Sequence, residues 1–128
     1  MNRRAISAED APDAIGPYSH AIRIGNTIYM SGQIALNPKN MELVTSSFRK
    51  ETKQVFTNIT AVVKAAGGTL QDIVKLTVYL TDLKNFDMVN AVMSETFQYP
   101  YPVRVAVGVS ALPRGASIEV EALAILSE

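Results

Sequence analysis

Two amphipathic helices are all this chain offers to cover a sheet whose strands carry aliphatic residues on both faces, and that mismatch limits how it can fold. In Val103-Arg104-Val105-Ala106-Val107-Gly108-Val109 every odd position is valine, so a period of two makes one strand face uniformly β-branched. In Ile118-Glu119-Val120-Glu121-Ala122-Leu123-Ala124-Ile125-Leu126, Leu123 and Ile125 stand opposite Val120 and Ala122. The first helix is predicted from about Ser47 to Ala66, with Phe48, Val55, Phe56, Ile59, Val62, Val63 and Ala66 on one stripe and Gly67-Gly68 as its stop. The second places Phe86, Val89, Val92, Met93, Thr96 and Phe97 at helical spacing until Pro100 and Pro102 end it. Two helices cover one sheet face. The other face is therefore expected to bury itself against a second subunit, with Arg104 near the boundary.

The remaining elements complete an α+β order. Ala21-Ile22-Arg23-Ile24 and Thr27-Ile28-Tyr29-Met30 flank Gly25-Asn26 and predict a tight hairpin. Ser31-Gly32-Gln33-Ile34 leads into the polar loop Asn37-Pro38-Lys39-Asn40. Ile73 to Leu80 predicts a strand with Val74, Leu76, Val78 and Leu80 opposite Lys75, Thr77 and Tyr79, and Thr81-Asp82 then offers helix N-caps. The order reads hairpin, helix, strand, helix, strand, strand. No linker or repeat divides it, so residues 1–128 are expected to form a single domain, large enough to bury about two-thirds of its unfolded surface.

Composition removes several function classes. Twelve basic and twelve acidic residues leave no net charge and no basic stripe, which argues against an electrostatic nucleic-acid binder. Without cysteine there are no disulfides, thiolate nucleophiles or thiolate metal sites. Glu9, Asp10 and Asp13 arrive where a signal peptide would carry its apolar core, and no apolar run approaches a membrane span. The expectation is a soluble, cytoplasmic protein that engages neither membrane nor nucleic acid.

Arg104 is the strongest candidate for chemistry. Its strand face carries it beside Ala106 and Gly108, one long cation next to two very small side chains. A guanidinium is rarely buried unless paired, and its planar fork can grip both oxygens of a small carboxylate. Glu119 and Glu121 share a face with Leu123 and Ile125 on the last strand. If that strand pairs near Arg104, one acid can balance the arginine or position a water; an ordinary cross-strand ion pair on a sheet surface is the competing reading.

A set of short motifs runs in order along almost the whole chain, from about Ala14 to Ile125. Ile15-Gly16-Pro17-Tyr18-Ser19, Tyr29-Met30-Ser31-Gly32-Gln33-Ile34, Val78-Tyr79-Leu80-Thr81-Asp82, Phe86, Val89-Asn90, Tyr101-Pro102-Val103-Arg104, Leu112-Pro113 and Ile118-Glu119-Val120-Glu121-Ala122 resemble the RidA family, also called the YjgF/YER057c/UK114 family. The resemblance implies an α+β, chorismate-mutase-like (bacillus type) two-layer sandwich, a mixed sheet with two helices on one face. It also implies a homotrimer with three clefts between subunits. The implied activity is hydrolysis of 2-imino acids or enamines, such as 2-iminobutanoate and 2-iminopropanoate, to 2-keto acids and ammonia. It protects against intermediates that leak from pyridoxal-phosphate enzymes. Neither cofactor nor metal is implied, and the ligand is an imino or keto acid.

Carried over by position, Arg104 would grip the substrate carboxylate and Glu119 would orient or activate the attacking water. Tyr18, Ser31, Gly32, Asn90 and the backbone at Ala106 would shape the cleft. Burial would raise the Glu119 pKa and Arg104 would lower it, and the sequence leaves that balance open. Three places depart from the family's commonest pattern. Ala106 replaces a frequent cysteine; Gly108 and Ala111 replace a frequent acid and a frequent basic residue; Met41 replaces a common glycine in the loop after Pro38.

Plainer readings stand beside these. Tyr18 can pack in its turn with the hydroxyl on backbone, Ser31 can simply end a strand, and Asn90 can serve its own helix. His20, the only histidine, has no nucleophile or metal partner in the pattern. Met88 and Met93 fill core or interface gaps. Two other functions compete with the deaminase: a keto-acid-binding regulator that contacts a partner without catalysis, and an RNA-cleaving translation inhibitor.

Overall fold

The computed structural model describes residues 2–127. Side-chain alternation gives each strand an inner and an outer face, and six strands combine these into one sheet. They are β1 (Arg3–Ile6), β2 (Ala21–Ile24), β3 (Thr27–Gln33), β4 (Ile73–Leu80), β5 (Val103–Gly108) and β6 (Ile118–Ile125), in the spatial order β1-β2-β3-β6-β4-β5. Only β4 and β5 run parallel, joined by a crossover that contains α2 (Phe86–Thr96); every other pair is antiparallel. α1 (Phe48–Ala65) crosses from β3 to β4, and β6 fills the gap those two strands leave. The architecture is α+β, a mixed sheet with two helices that pack against each other and one common core.

α1 forms because its apolar stripe and both of its ends are satisfied. Val55, Phe56, Ile59, Val62 and Val63 are buried beneath it, and the Ser47 hydroxyl caps the start by accepting from the Lys50 amide at 3.1 Å. Gly67, at φ +96°, lets the chain turn away in a conformation that favours glycine. α2 buries Val89, Val92 and Met93. Phe56 and Phe97 lock the two helices together edge to face, 5.5 Å between centroids.

The other sheet face stays open in one chain. Val103, Val105, Val107, Tyr29 and Ile125 are all exposed there, Val103 by 67%. Covering them at roughly 25 cal/mol per Å2 would supply a large association energy. No helix among the described residues is long and apolar enough to cross a membrane.

Three local differences from the sequence reading have physical causes. A register shift between Ile73 and Lys75 turns Ile73 into the core and leaves Val74 exposed, reversing the expected start of β4. Asp82 caps a short 3-10 turn at Leu83–Asn85 through the Lys84 amide, so α2 begins only at Phe86, with no side-chain cap from Asn85. β1, too short and too exposed to signal itself, pairs with β2 at the sheet edge.

One buried amide ties α1 to the loop behind the sheet. Asn58 is fully buried; its Nδ2 donates to the carbonyls of Ile34 (3.1 Å) and Leu36 (2.9 Å), and its Oδ1 accepts from Gln54. Asn58→Ala would strand two buried carbonyls. It should lower the unfolding free energy by about 2–4 kcal/mol, read as an earlier urea midpoint at unchanged slope. A shift below ~0.5 kcal/mol would mean that water replaces the amide without penalty.

Candidate functional site

The first group of candidates is assembled by a β-bulge. Met30 pairs with Ala122 and Gln33 with Val120, so Ser31 and Gly32 together oppose the single residue Glu121. The bulge restores inward pointing at Gln33, which is buried, and turns Ser31 and Gly32 toward the surface. Glu119 on β6 lies directly over Gly32: a Cβ added there would sit 2.5 Å from Glu119 Oε2 and 3.0 Å from its carboxyl carbon. Glycine lets the carboxylate approach this closely; a side chain here would push the Glu119 carboxyl from its place.

Around this acid the chain forms a cleft of about 410 Å3, lined by Tyr18, Ser31, Gly32, Ile34 and Pro113 as well as Glu119. The Ser31 hydroxyl donates to the Ser19 carbonyl at 2.6 Å, and the Tyr18 hydroxyl accepts from the Ile15 amide at 3.2 Å. Both side chains thus hold the loop before β2 while lining the cleft. His20 does similar work: its Nδ1 accepts from the Ala8 amide (2.9 Å) and its Nε2–H donates to the Pro12 carbonyl (2.8 Å). With both ring nitrogens engaged on backbone, His20 is a structural residue.

Burial is the larger influence on Glu119, the neighbouring Glu121 carboxylate the smaller, and both hold its carboxyl above the ordinary value. Arg104 does not oppose them within the chain. The balance left open by the sequence therefore falls to the raised side in one protomer. Glu121 is itself held by the Tyr79 hydroxyl, whose own pKa rises first through that hydrogen bond.

Arg104 occupies a different place. It pairs with Leu76, an inward-facing position on β4, so its side chain rises on the helix side of the sheet edge. Its Nη1 donates to Asn90 Oδ1 at 2.6 Å and to Met93 Sδ at 3.4 Å, and its guanidinium carbon sits 4.7 Å from the Phe86 ring centroid. Phe86, Asn90 and Met93 are spaced to share one face of α2. Arg104, Asn90 and Met93, with Ser94, Tyr101 and Pro102, border a second, open cleft of about 430 Å3. Ala106 is two residues on, on the same face of β5.

The condition that the last strand pairs beside Arg104 is not met. β4 lies between β5 and β6, and Glu119 pairs with Tyr79, an outward position on β4. Arg104 and Glu119 therefore project from opposite faces of one sheet. Tyr18, Ser31, Gly32 and Glu119 share one cleft, whereas Asn90 and Arg104 share the other.

Sequence reasoning passed over Phe86 and Met93 as neighbours of the arginine, although their spacing with Asn90 carried the signal. It also passed over Glu51. That acid is buried in α1, and its Oε2 accepts from the Ser117 amide at 2.7 Å while the Ser117 carbonyl accepts from Thr81. The start of β6, two residues before Glu119, is clamped from both sides. An acid in a helix's first turn ordinarily reads as a complement to the helix dipole, so nothing in the sequence marked this one out. Among the described residues no group of three or more metal-ligating side chains forms.

This architecture and these residues match a known group. The chain belongs to the family described as Endoribonuclease L-PSP, matched over residues 8–126, which is the RidA (YjgF/YER057c/UK114) family. It is 44% identical to a 2-iminobutanoate/2-iminopropanoate deaminase of Dermatophagoides farinae, with 97% of each chain covered. It is 48% identical to a RutC family protein of Pyrococcus abyssi, covering 97% of this chain and 98% of that one. The crystal structure of RidA from an Antarctic Psychrobacter superposes with a TM-score of 0.93 at 45% identity, over 96% of this chain and 99% of that one.

If Glu121 helps to raise the Glu119 pKa, Glu121→Gln removes a negative neighbour and should lower the Glu119 titration midpoint. Carboxyl 13C NMR across pH would read the downward shift. A midpoint that stays in place would assign the whole effect to burial.

Proposed function

We propose that this protein is an enzyme that hydrolyses 2-imino acids and their enamine tautomers to 2-keto acids and ammonia, in clefts between the subunits of a homotrimer. The observation that carries the proposal is the division of the site. A carboxylate-binding fork and a poised acid each face an open cleft, but on opposite faces of the sheet. Neither half is complete alone. The exposed valines, Tyr29 and Ile125 supply the apolar surface that a second copy would cover. Closure of a ring brings Arg104 of one subunit to Glu119 of its neighbour. The deaminase name of relatives at this identity supports the same chemistry.

The reaction needs little. Arg104 holds the substrate carboxylate by two parallel hydrogen bonds, which fixes the imine carbon against a water on Glu119. As the C–O bond forms, Glu119 takes a proton from that water and then delivers it to nitrogen. Glu119 then takes the hydroxyl proton and passes it to the same nitrogen as the C–N bond breaks, so that the carbonyl forms and ammonia leaves. A carboxyl whose pKa is raised by burial is a stronger base for the first of these transfers. Tyr18, Ser31, Gly32, Asn90 and the Ala106 backbone shape the walls. An RNA-cleaving role finds no histidine base, because His20 spends both ring nitrogens on backbone.

Added to imine generated by a dehydratase or an amino-acid oxidase, the protein should accelerate keto-acid release. Arg104→Ala and Arg104→Lys should each remove that acceleration with the fold intact, since lysine lacks the two-pronged geometry. Native mass should equal three times the 13.9 kDa chain. A subunit-spanning site makes a sharper demand. Arg104→Ala and Glu119→Gln, each inactive alone, should recover about a quarter of wild-type activity when co-assembled at equal amounts, because one site in four then receives both intact residues. No recovery in mixed trimers would place both residues in one protomer's site and refute the division.

A further inference from the structure

We propose that Phe86 and Met93 are positioning residues for Arg104, and that with Asn90 they commit the guanidinium to receive a carboxylate on its Nε–Nη2 edge. The inference rests on the reading of Arg104 as the substrate grip and adds how that grip is set. A guanidinium carries five N–H donors and can meet a carboxylate end-on, through Nη1 and Nη2, or side-on, through Nε and Nη2. Here the choice is already made. Nη1 has two protons, and two acceptors on α2 meet it: Asn90 Oδ1 at 2.6 Å and Met93 Sδ at 3.4 Å. Among the described residues no protein acceptor meets Nε or Nη2. The end-on mode would have to displace Asn90, whereas the side-on mode displaces nothing.

Phe86 fixes the remaining freedom. Its ring centroid lies 4.7 Å from the guanidinium carbon, close enough for the cation to rest on the π face. The ring is partly buried and packed against the core, so it cannot follow a moving arginine. Hydrogen bonds to Nη1 alone would let the fork pivot; an aromatic surface against it restricts that pivot. It also takes water from one side of the cation, which favours a carboxylate over solvent on the free edge. The three contacts come from residues 86, 90 and 93, one stripe of a single helix that Val89 and Val92 anchor in the core. α2 is a cradle built for the arginine.

The test is a double-mutant cycle read by calorimetric binding of pyruvate and by steady-state kinetics. Phe86→Leu should weaken pyruvate binding and raise KM roughly tenfold, leaving kcat within about twofold, because the ring acts on carboxylate affinity and not on the acid. Phe86→Tyr, which keeps the aromatic face, should retain wild-type values. In an Arg104→Ala background, Phe86→Leu should add no further loss. An additive loss there, or unchanged affinity in the single variant, would overturn the positioning role. A crystal of the wild-type protein with 2-ketobutyrate tests the edge independently of any variant. Carboxylate oxygens on Nε and Nη2 are expected, and oxygens on Nη1 in place of Asn90 would overturn the assignment. Should Arg104→Ala itself bind pyruvate as wild type does, the functional reading fails. Should only Phe86→Leu behave as wild type, that reading stands and this inference alone falls.

Discussion

β4 separates the strands that carry Arg104 and Glu119, and the two-residue period of a strand sends those side chains to opposite faces of the sheet. The rest of the molecule is organised around that separation. The helix side provides the cation with a helical stripe to lie on and a sheet edge from which to reach outward. The open side provides the acid with a central strand, a bulged neighbour and partial burial. A single chain cannot bring them together without breaking the register of β4, which pairs with both neighbours over most of its length. The apolar residues left on the open face and the incomplete site then have the same remedy, a second copy of the chain.

Each half is made rigid from behind. The cleft beneath Glu119 is closed by Ile34 and Leu36, whose carbonyls are held by the buried Asn58 of α1. The start of β6 is held by Glu51, two turns earlier on the same helix and again buried. α1 thus fixes both walls of the acid's cleft with two polar side chains placed among aliphatics. A buried polar group is costly when unpaired, so these bonds specify one arrangement more strongly than packing would. α2 performs the matching task for the cation through Phe86, Asn90 and Met93. The helix layer has a different part in each cleft, yet both parts are exerted through side chains that leave the core to meet the sheet.

Much of this was legible in the chain and some was not, for reasons that can be named. The stripe of α1, the Gly25-Asn26 hairpin turn and the alternation of β5 and β6 are local patterns, and they appear where periodicity placed them. The faces of Arg104 and Glu119 within their own strands were equally legible. Their relation was not, because it depends on β6 inserting between β3 and β4, a non-local choice that no short window encodes. The bulge had a trace in the glycine inside a strand pattern, but only the pairing reveals that Ser31 and Gly32 share one opposite residue. The shift at Ile73 and the 3-10 turn before α2 were hidden because several apolar or capping residues were available and tertiary contacts selected among them.

The positions that depart from the family's commonest pattern fit this arrangement through packing. Met41 adopts φ +59°, the conformation a glycine would take without strain, and its carbonyl accepts from Arg114 at 3.4 Å. The loop therefore keeps a glycine's path with a larger side chain, at a backbone cost of about 1 kcal/mol or more. Met41 also packs on the small cluster of Ile34, Leu36 and Ala116, which offsets some of that cost. Gly108 lies beneath Leu83, whose side chain would meet an added Cβ at 3.2 Å. An acid there would meet an aliphatic side chain, so the missing acid and the leucine belong to one apolar contact at the end of β5. Ala106 keeps the face beside Arg104 small. None of these changes touches the cradle on α2 or the glycine under Glu119, the two contacts that set where the cation and the acid sit.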